Sequence, residues 1–409
     1  MRREFHREAP RLGDLSDLGG AGPGEPLGTA PRHLPARVAE VHRTDPEAWW
    51  DDLLTRSPRA PAYRMVKEGE VLPRSLVCRR SGVGHQQLDD LIEPNRVLES
   101  YDDGASLVLQ GLQHTDPAMA RLSNNLALEL DQPVQLNAYL SPASARGLDL
   151  HFDYHDVIVV QLSGTKAWRV WAPLDRSRLP QKRGPGIPKP TWDEVGDPVI
   201  ETVVHPGDVL VIPRGHPHAA ATIDDESAHL TIGIMSLTWQ ALIAMRLRDT
   251  AGGPALASTF HDAEPARSNA LADLRAELSP DALARAHRLE VWRRQPRTRL
   301  RPRRCTFDPD ADLAFTPGPL LWLDDPSGEA RSEPSDDGRT HPPVSLQLGD
   351  RAITLPAAAT PLLEILLAAE GAFGVASLMA DPRHGLDGPS VRAILAALHR
   401  EGVVSHGPL

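Results

Sequence analysis

The sequence predicts an α+β chain centred on a barrel or sandwich of antiparallel strands, with helices after it and a separate small unit at the C-terminal end. Three observations carry this. Between residues 100 and 240, short runs such as "VQLNAYLS", "DVIVVQLSG" and "VIETVVHPGDVLVIPRG" combine β-branched content with Gly and Pro punctuation. After residue 238, "TWQALIAMRLRDTA", "SNALADLRAEL" and "PDALARAHRLEVWRR" carry apolar residues at three- and four-residue spacing, the period of a helix. With 409 residues, 41% of them hydrophobic, the chain can bury a sizeable core in more than one domain.

Taken in order, residues 1–38 are rich in Gly, Pro and Arg with few large apolar groups, which predicts a flexible tail. The globular pattern starts at "DPEAWWDDLL", where Asp45 is a plausible helix N-cap, so the β-rich domain is placed at 39–240. Within it only "DPAMARLSNNLALELD" has helical spacing. Residues 241–307 read as helical, and the Pro-, Asp- and Ser-rich stretch 308–343 reads as a linker.

Residues 344–409 form the last unit, with "TPLLEILLAAEG" and "SVRAILAALHREG" as amphipathic helices, "VASLMA" between them and "VVSH" as a closing strand. That order resembles a winged helix. A DNA-binding winged helix needs a basic surface, whereas this unit sets four arginines, Arg351, Arg383, Arg392 and Arg400, against six acidic residues. Protein contact suits it better.

The formal charge of −11 argues against non-specific nucleic-acid binding by the whole chain and favours a basic partner. Cys78 and Cys305 lie far apart, which excludes a disulfide framework or a thiolate metal site and fits a reducing cytoplasm. No apolar signal region opens the chain and no run is long enough to span a bilayer, so neither secretion nor membrane insertion is expected. From Arg285 to Arg304 nine arginines fall in twenty residues, with Trp292 among them. A solvated helix end neutralised by acidic neighbours is the plain reading; contact with RNA or an acidic partner is the other.

The chemistry sits in the β region. In "HFD", His151 and Asp153 are two apart, so on an extended strand both point to one face. Two imidazoles and one carboxylate make the facial ligand set of a non-haem iron(II) site, with positions left open for co-substrate and oxygen. The third ligand must come from a strand distant in sequence. "HPGDVLVIPRGHPHAAA" offers His218 at the end of a PRGxxH run, with His216 as the alternative; His155, His205 and His229 are assigned to the surface or to the surroundings of the ligands.

These residues carry a resemblance. "NAYLSPASARGLDLHFDYHDVIVVQLSGTKAWRVW" and "PGDVLVIPRGHPHAA" are similar to the metal and co-substrate segments of JmjC-type cupin oxygenases of the ribosomal-oxygenase branch. The resemblance implies a double-stranded β-helix barrel, a helical dimerisation region and a C-terminal winged-helix-like domain. It implies that His151, Asp153 and His218 hold Fe(II), that Lys166 receives the distal carboxylate of 2-oxoglutarate, and that Tyr139 and Asn137 line that pocket. A buried dicarboxylate needs a cation and hydrogen-bond donors, which Lys166 and Tyr139 offer.

The implied activity is hydroxylation of an amino-acid side chain in a polypeptide, a ribosomal-protein Arg or His first, by a homodimer. A peptide natural product or small amino-acid-derived substrate is the alternative. Gly233 stands where the branch has a small hydroxyl residue, and the loop "HAAATIDDESAHLTIG" is shorter, which bears on substrate choice more than on metal. A non-catalytic cupin or winged-helix regulator is the reading from another class, disfavoured by the complete HxD and His set.

Overall fold

The computed structural model describes residues 27–38, 55–173, 189–249, 264–296, 312–315, 321–323, 333–334, 340–341, 344–348, 351–367 and 372–406. They divide into a unit ending at Leu283 and one beginning at Ala284.

The first unit is built on β1 (Arg32–Leu34), β2 (Tyr63–Lys67), β3 (Glu70–Val71), β4 (Cys78–Val83), β5 (Gln86–Ile92), β6 (Ser106–Leu109), β7 (Val134–Ser141), β8 (Asp156–Ser163), β9 (Lys166–Val170), β10 (Ile200–Val204), β11 (Val209–Ile212), β12 (His218–Thr222) and β13 (Ser227–Ile234). An eight-stranded sheet runs β1-β11-β8-β13-β7-β6-β2-β3, and a three-stranded sheet runs β10-β9-β12. Their pairings are antiparallel, as the strand pattern predicts. Val157, Val159, Leu210 and Ile212 of the large sheet share one buried cluster with Trp168, Val170 and Val204 of the small one, so the two sheets face each other.

Alternation decides which side chains reach the interior between the sheets. Along β9, Lys166, Trp168 and Val170 are buried while Ala167 and Arg169 are not. Along β7, Tyr139 and Ser141 take the face that meets Lys166 and Trp168, while Leu136, Ala138 and Leu140 are buried on the opposite face. Helix Pro117–Leu130 packs against β7. It starts where Asp116 accepts hydrogen bonds from the amides of Ala118 and Met119, with Pro117 in its first turn, and stops where Asp131 turns left-handed at φ 47°. Strand β13, between β7 and β8, is buried along its whole length. Truncating its Ile232 to Ala removes a wholly buried side chain and costs about 2–5 kcal/mol.

The N-terminal region departs from the expected flexible tail. Residues 1–26 lie outside the described residues, but β1 pairs with β11, and Leu27 and Val38 are buried. Composition missed this because the attachment is polar: Asp208, in the "PGD" turn, accepts from the Ala36 amide (2.8 Å) and bonds His33 Nε2 (3.0 Å).

Helices Trp239–Asp249, Glu264–Glu277 and Pro280–Arg294 follow β13. In the last of these Val291 and Trp292 are buried and Arg294 pairs with Glu290 at 2.7 Å, so Trp292 is a packing anchor and not an exposed stacking platform. Residues 297–304 of the arginine-rich stretch lie outside the described residues.

The stretch read as a linker also contains structure. Asp312–Phe315 is a strand between Ala372–Gly374 and Val404–His406, and Leu321–Leu323 pairs with Val344–Leu348. Its few apolar residues were masked by polar neighbours, yet Leu313 is wholly buried in a core with Leu362, Leu366, Val391, Leu395 and Leu398. Helices Thr360–Leu367, Val375–Ala380 and Gly388–Arg400 complete this unit; Asp387 caps the last by accepting from the Ser390 amide.

Candidate metal centre

His151 and Asp153 lie in the segment leading into β8, not within a long strand, and His218 opens β12. His151 and His218 form an isolated antiparallel bridge, with each amide donating to the other's carbonyl at 3.2 and 2.8 Å. Asp153 is drawn in from the same side, because its carbonyl accepts from the amide of Gly215 at 3.0 Å. The Asp156 carboxylate accepts from the Arg214 amide at 2.7 Å, tying the "PRG" turn to the start of β8. One ligand atom from each of His151, Asp153 and His218 lies within 4.8 Å of the other two.

The donor set fits a divalent metal. Nδ1 of His151 bonds the carbonyl of Asp149 (2.7 Å), and Nδ1 of His218 bonds that of His216 (3.0 Å). A ring whose Nδ1–H donates to a carbonyl has a bare Nε2, the tautomer a metal takes. Burial, followed by the neighbouring His151, lowers His218 to about 4, which keeps it neutral and ligand-competent at ordinary pH. Burial works to raise the Asp153 carboxyl, but His155, His151 and His218 outweigh it and hold it low.

Behind the triad lies an inner pocket bounded by Val108, Tyr139, Ser141, Lys166, Trp168 and His229. Lys166 is 3% exposed, and burial alone lowers its ammonium to about 7. Its Nζ donates to Ser141 Oγ at 2.9 Å, and that oxygen is also 2.8 Å from Ser106 Oγ. No ion pair joins Lys166 to a carboxylate among the described residues. Tyr139 and His229 face each other in the β7–β13 register and stack at 4.8 Å and 4°. His229 Nδ1 and Trp168 Nε1 are buried without hydrogen-bond partners. A buried cation with orphaned polar atoms around it is a receptor for an anionic, hydrogen-bonding ligand.

A second, outer cleft shares Tyr139, His151 and Asp153 with the inner pocket and is lined also by Arg64, Asn137, Phe152, Tyr154, His155 and Lys189. The Asn137 side chain lies there rather than beside Lys166, and its Oδ1 accepts from the Gly111 amide at 3.0 Å and Gln135 Nε2 at 3.2 Å. His216, the alternative ligand, is turned away, with Nδ1 bonding the Pro213 carbonyl. His205 is exposed, whereas His229 is not a surface residue but part of the inner pocket. His155 lies over Gly233: a Cβ there would stand 3.0 Å from His155 Cε1, so the missing hydroxyl residue makes room for an imidazole.

Sequence reasoning passed over Ser141, Ser106 and Arg64. The serines are small polar groups that read as turn or edge residues, and an arginine in a short strand reads as solvent-facing. The available signal was period: Asn137, Tyr139 and Ser141 share one face of β7.

Residues 109–242 match the JmjC domain. The chain is 34% identical over 153 residues to the bifunctional lysine-specific demethylase and histidyl-hydroxylase NO66 of Dictyostelium discoideum, covering 37% of this chain and 29% of that protein. It is 34% identical over 151 residues to ribosomal oxygenase 1 of Rattus norvegicus, covering 35% and 25%. The match thus spans under a third of either relative's length. Escherichia coli ycfD superposes with a TM-score of 0.57 at 18% identity, over 92% of this chain and 95% of that one. The E. coli ribosomal oxygenase YcfD in complex with cobalt and 2-oxoglutarate superposes with a TM-score of 0.54 at 18% identity, over 92% and 94%.

Proposed function

We propose, from the premise that residues 109–242 are a JmjC domain, that this chain is an Fe(II)- and 2-oxoglutarate-dependent oxygenase that hydroxylates an amino-acid side chain in a polypeptide. The observation that carries the reading is Lys166: a buried ammonium without a carboxylate, sharing one pocket with the convergent donors of His151, Asp153 and His218. Bound at those donors, iron with 2-oxoglutarate supplies the oxidant: one oxygen atom of O2 enters a substrate C–H bond and the other enters succinate, with release of carbon dioxide.

The chain's own groups hold and shield. Lys166 pairs with the distal carboxylate of the co-substrate, which restores the ammonium that burial disfavours. Ser141 already accepts from Lys166, so its hydroxyl proton is free to be donated into the pocket. Tyr139 and His229 form one wall, and Trp168, Val157 and Val108 exclude water from the space around the carboxylate. The outer cleft admits the substrate to the metal ligands.

A ribosomal-protein Arg or His is the substrate favoured here, because the relatives in which the match is found carry the names histidyl-hydroxylase and ribosomal oxygenase, and because a net charge of −11 suits a basic polypeptide. The exposed Trp239, Leu247 and Leu271 of the helices after β13 support a homodimer. The helices and strands between 344 and 409 support a winged-helix-like unit whose acidic balance suits protein contact rather than DNA or RNA. The free, buried Cys78 is compatible with a reducing cytoplasm, and no helix among the described residues is long and apolar enough to cross a membrane.

The deciding experiment incubates iron- and 2-oxoglutarate-loaded protein with ribosomal proteins from a strain lacking this chain. A gain of one oxygen atom by mass spectrometry, absent with Asp153→Ala, supports the assignment. Succinate release stimulated only by small amino acids overturns the choice of substrate, and failure to bind metal and 2-oxoglutarate overturns the enzyme.

A further inference from the structure

The outer cleft holds a cation that neither the metal centre nor the co-substrate pocket uses. Arg64 projects from β2, which pairs with β6 through Arg64 and Val108, and it lines the cleft beside Tyr139, His151 and Asp153. Its Nε is buried and has no hydrogen-bond partner. Among the described residues no carboxylate lies within ion-pair distance of Arg64. Asp153 is the acid whose charge it feels, and that carboxylate belongs to the metal ligands.

An arginine left in this state is costly unless something brings it an acceptor. A half-buried guanidinium loses part of its hydration, and its forked donors suit one planar oxyanion better than scattered carbonyls. Lys189 stands exposed on the same cleft and adds a second positive charge. Against these the lining offers Asp149, whose Oδ1 already accepts from the Leu150 amide, and Asp153, whose charge a divalent metal more than cancels. With the metal in place, the cleft is a cationic receptor although the chain as a whole carries −11.

We propose that Arg64 is the specificity residue of the outer cleft and binds a substrate carboxylate held next to the carbon that is oxidised. This rests on the oxygenase reading for the place of oxidation and deepens it: the substrate need only be basic elsewhere, while the residue beside the target, or the chain end beside it, is acidic. A side-chain carboxylate and a free terminal carboxylate share this chemistry.

Four short capped peptides separate the sources and the idea: acetyl-Gly-Asp-Gly-amide against acetyl-Gly-Asn-Gly-amide, and acetyl-Gly-Gly with a free terminus against its amide. Saturation-transfer NMR reads their binding to the full chain, both metal-free and with Mn(II) and 2-oxoglutarate under argon. A preference of roughly fivefold or more for a carboxylate over its neutral partner is expected, lost in Arg64→Gln and partly kept in Arg64→Lys. Whichever carboxylate peptide shows the preference identifies the source. Equal binding of charged and neutral peptides, or a preference that survives Arg64→Gln, overturns the assignment; where Arg64→Gln does not fold, the wild-type comparison alone decides. Calorimetry of Mn(II) and 2-oxoglutarate with the wild-type chain tests the oxygenase reading separately, since the metal-free peptide measurement does not depend on it.

Discussion

His151 and His218 are joined backbone to backbone before any metal is considered: each amide donates to the other's carbonyl, and their rings lie 4.3 Å apart between centroids. Two segments 67 positions apart in sequence are therefore held in register by the same ladder that points the imidazoles at one spot. Pre-organisation of this kind keeps the cost of assembling the site out of the metal-binding step.

Metal should accordingly bind a folded chain and stabilise it. At a hundredfold excess of Mn(II) over its Kd, mass action adds about 2.7 kcal/mol, seen as a rise in Tm that chelator reverses. His151→Ala and Asp153→Ala should abolish that rise while leaving the metal-free Tm close to wild type, since both side chains are only half-buried. An undiminished metal-dependent rise in either variant would count against the triad.

How much of this was legible follows from how local each signal is. The HxD pair and the PRGxxH run are short and chemically specific, so the meeting of His151, Asp153 and His218 could be read before the barrel was known. Lys166 was legible by its place in an alternating strand that also carries Trp168 and Val170 inward. For Asn137, periodicity says which face a residue takes and not how far along the interior it lies; it shares a face with Tyr139 and Ser141 and lines the cleft that also holds His151 and Asp153. The ordered segment at 27–38 and the strand at Asp312–Phe315 were invisible for another reason, since both are recruited by partners far away in the chain.

The state of Lys166 makes co-substrate binding a proton-linked event. Burial lowers its folded-state pKa from the ordinary lysine value to about 7, so on its own the group penalises the folded state most below that pH, and the penalty fades as pH rises towards the unfolded value. A carboxylate beside it reverses the preference. Above pH 7, 2-oxoglutarate should bind with uptake of up to one proton, and its affinity should fall as pH rises. Calorimetry in buffers of different ionisation enthalpy measures the uptake; a binding heat independent of buffer would refute the linkage. Lys166→Met should remove both the uptake and most of the affinity.

Ser141→Ala removes the oxygen that accepts from Lys166 and with it a donor to the ligand. The expected loss in 2-oxoglutarate binding is about 1–3 kcal/mol, the range for leaving a buried polar group without its partner. Ser106→Ala, one hydrogen bond further out, should cost less. Equal losses would mean that the two serines act as packing rather than as a directed chain.

Asp208 is the polar clamp on the N-terminal segment, taking hydrogen bonds from the Ala36 and His205 amides and from His33. Those bonds hold its carboxyl below the ordinary range against the opposing effect of burial. Its stabilising contribution is therefore present above the unfolded carboxylate pKa and is lost as pH falls through the lower, folded value. Asp208→Ala should free residues 27–38 to proteolysis at neutral pH, with cleavage products mapped by mass spectrometry, whereas the wild type should resist until acid. Equal resistance of wild type and variant at neutral pH would show that Leu27 and Val38 alone hold the segment.

Gly233 and His155 give a test of packing that is independent of any ligand. Gly233 pairs with Gln135 on β7 and Val157 on β8, so its backbone is fixed on both sides and cannot withdraw from a new side chain. A Cβ added there stands 3.0 Å from Cε1 and 3.2 Å from Nδ1 of His155, closer than ordinary van der Waals contact, and the ring is anchored by the 3.0 Å bond between Nδ1 and the Asp156 carbonyl. Gly233→Ser should therefore displace the imidazole and cost about 1–3 kcal/mol, as overpacking does. His155→Ala vacates the space, so in the double variant the serine should be tolerated. A double-mutant cycle on Tm or denaturant midpoint reads the coupling, expected at about 0.5–3 kcal/mol for groups in contact. Additive single effects would show that the ring moves aside freely and that its position over the strand does not depend on the glycine.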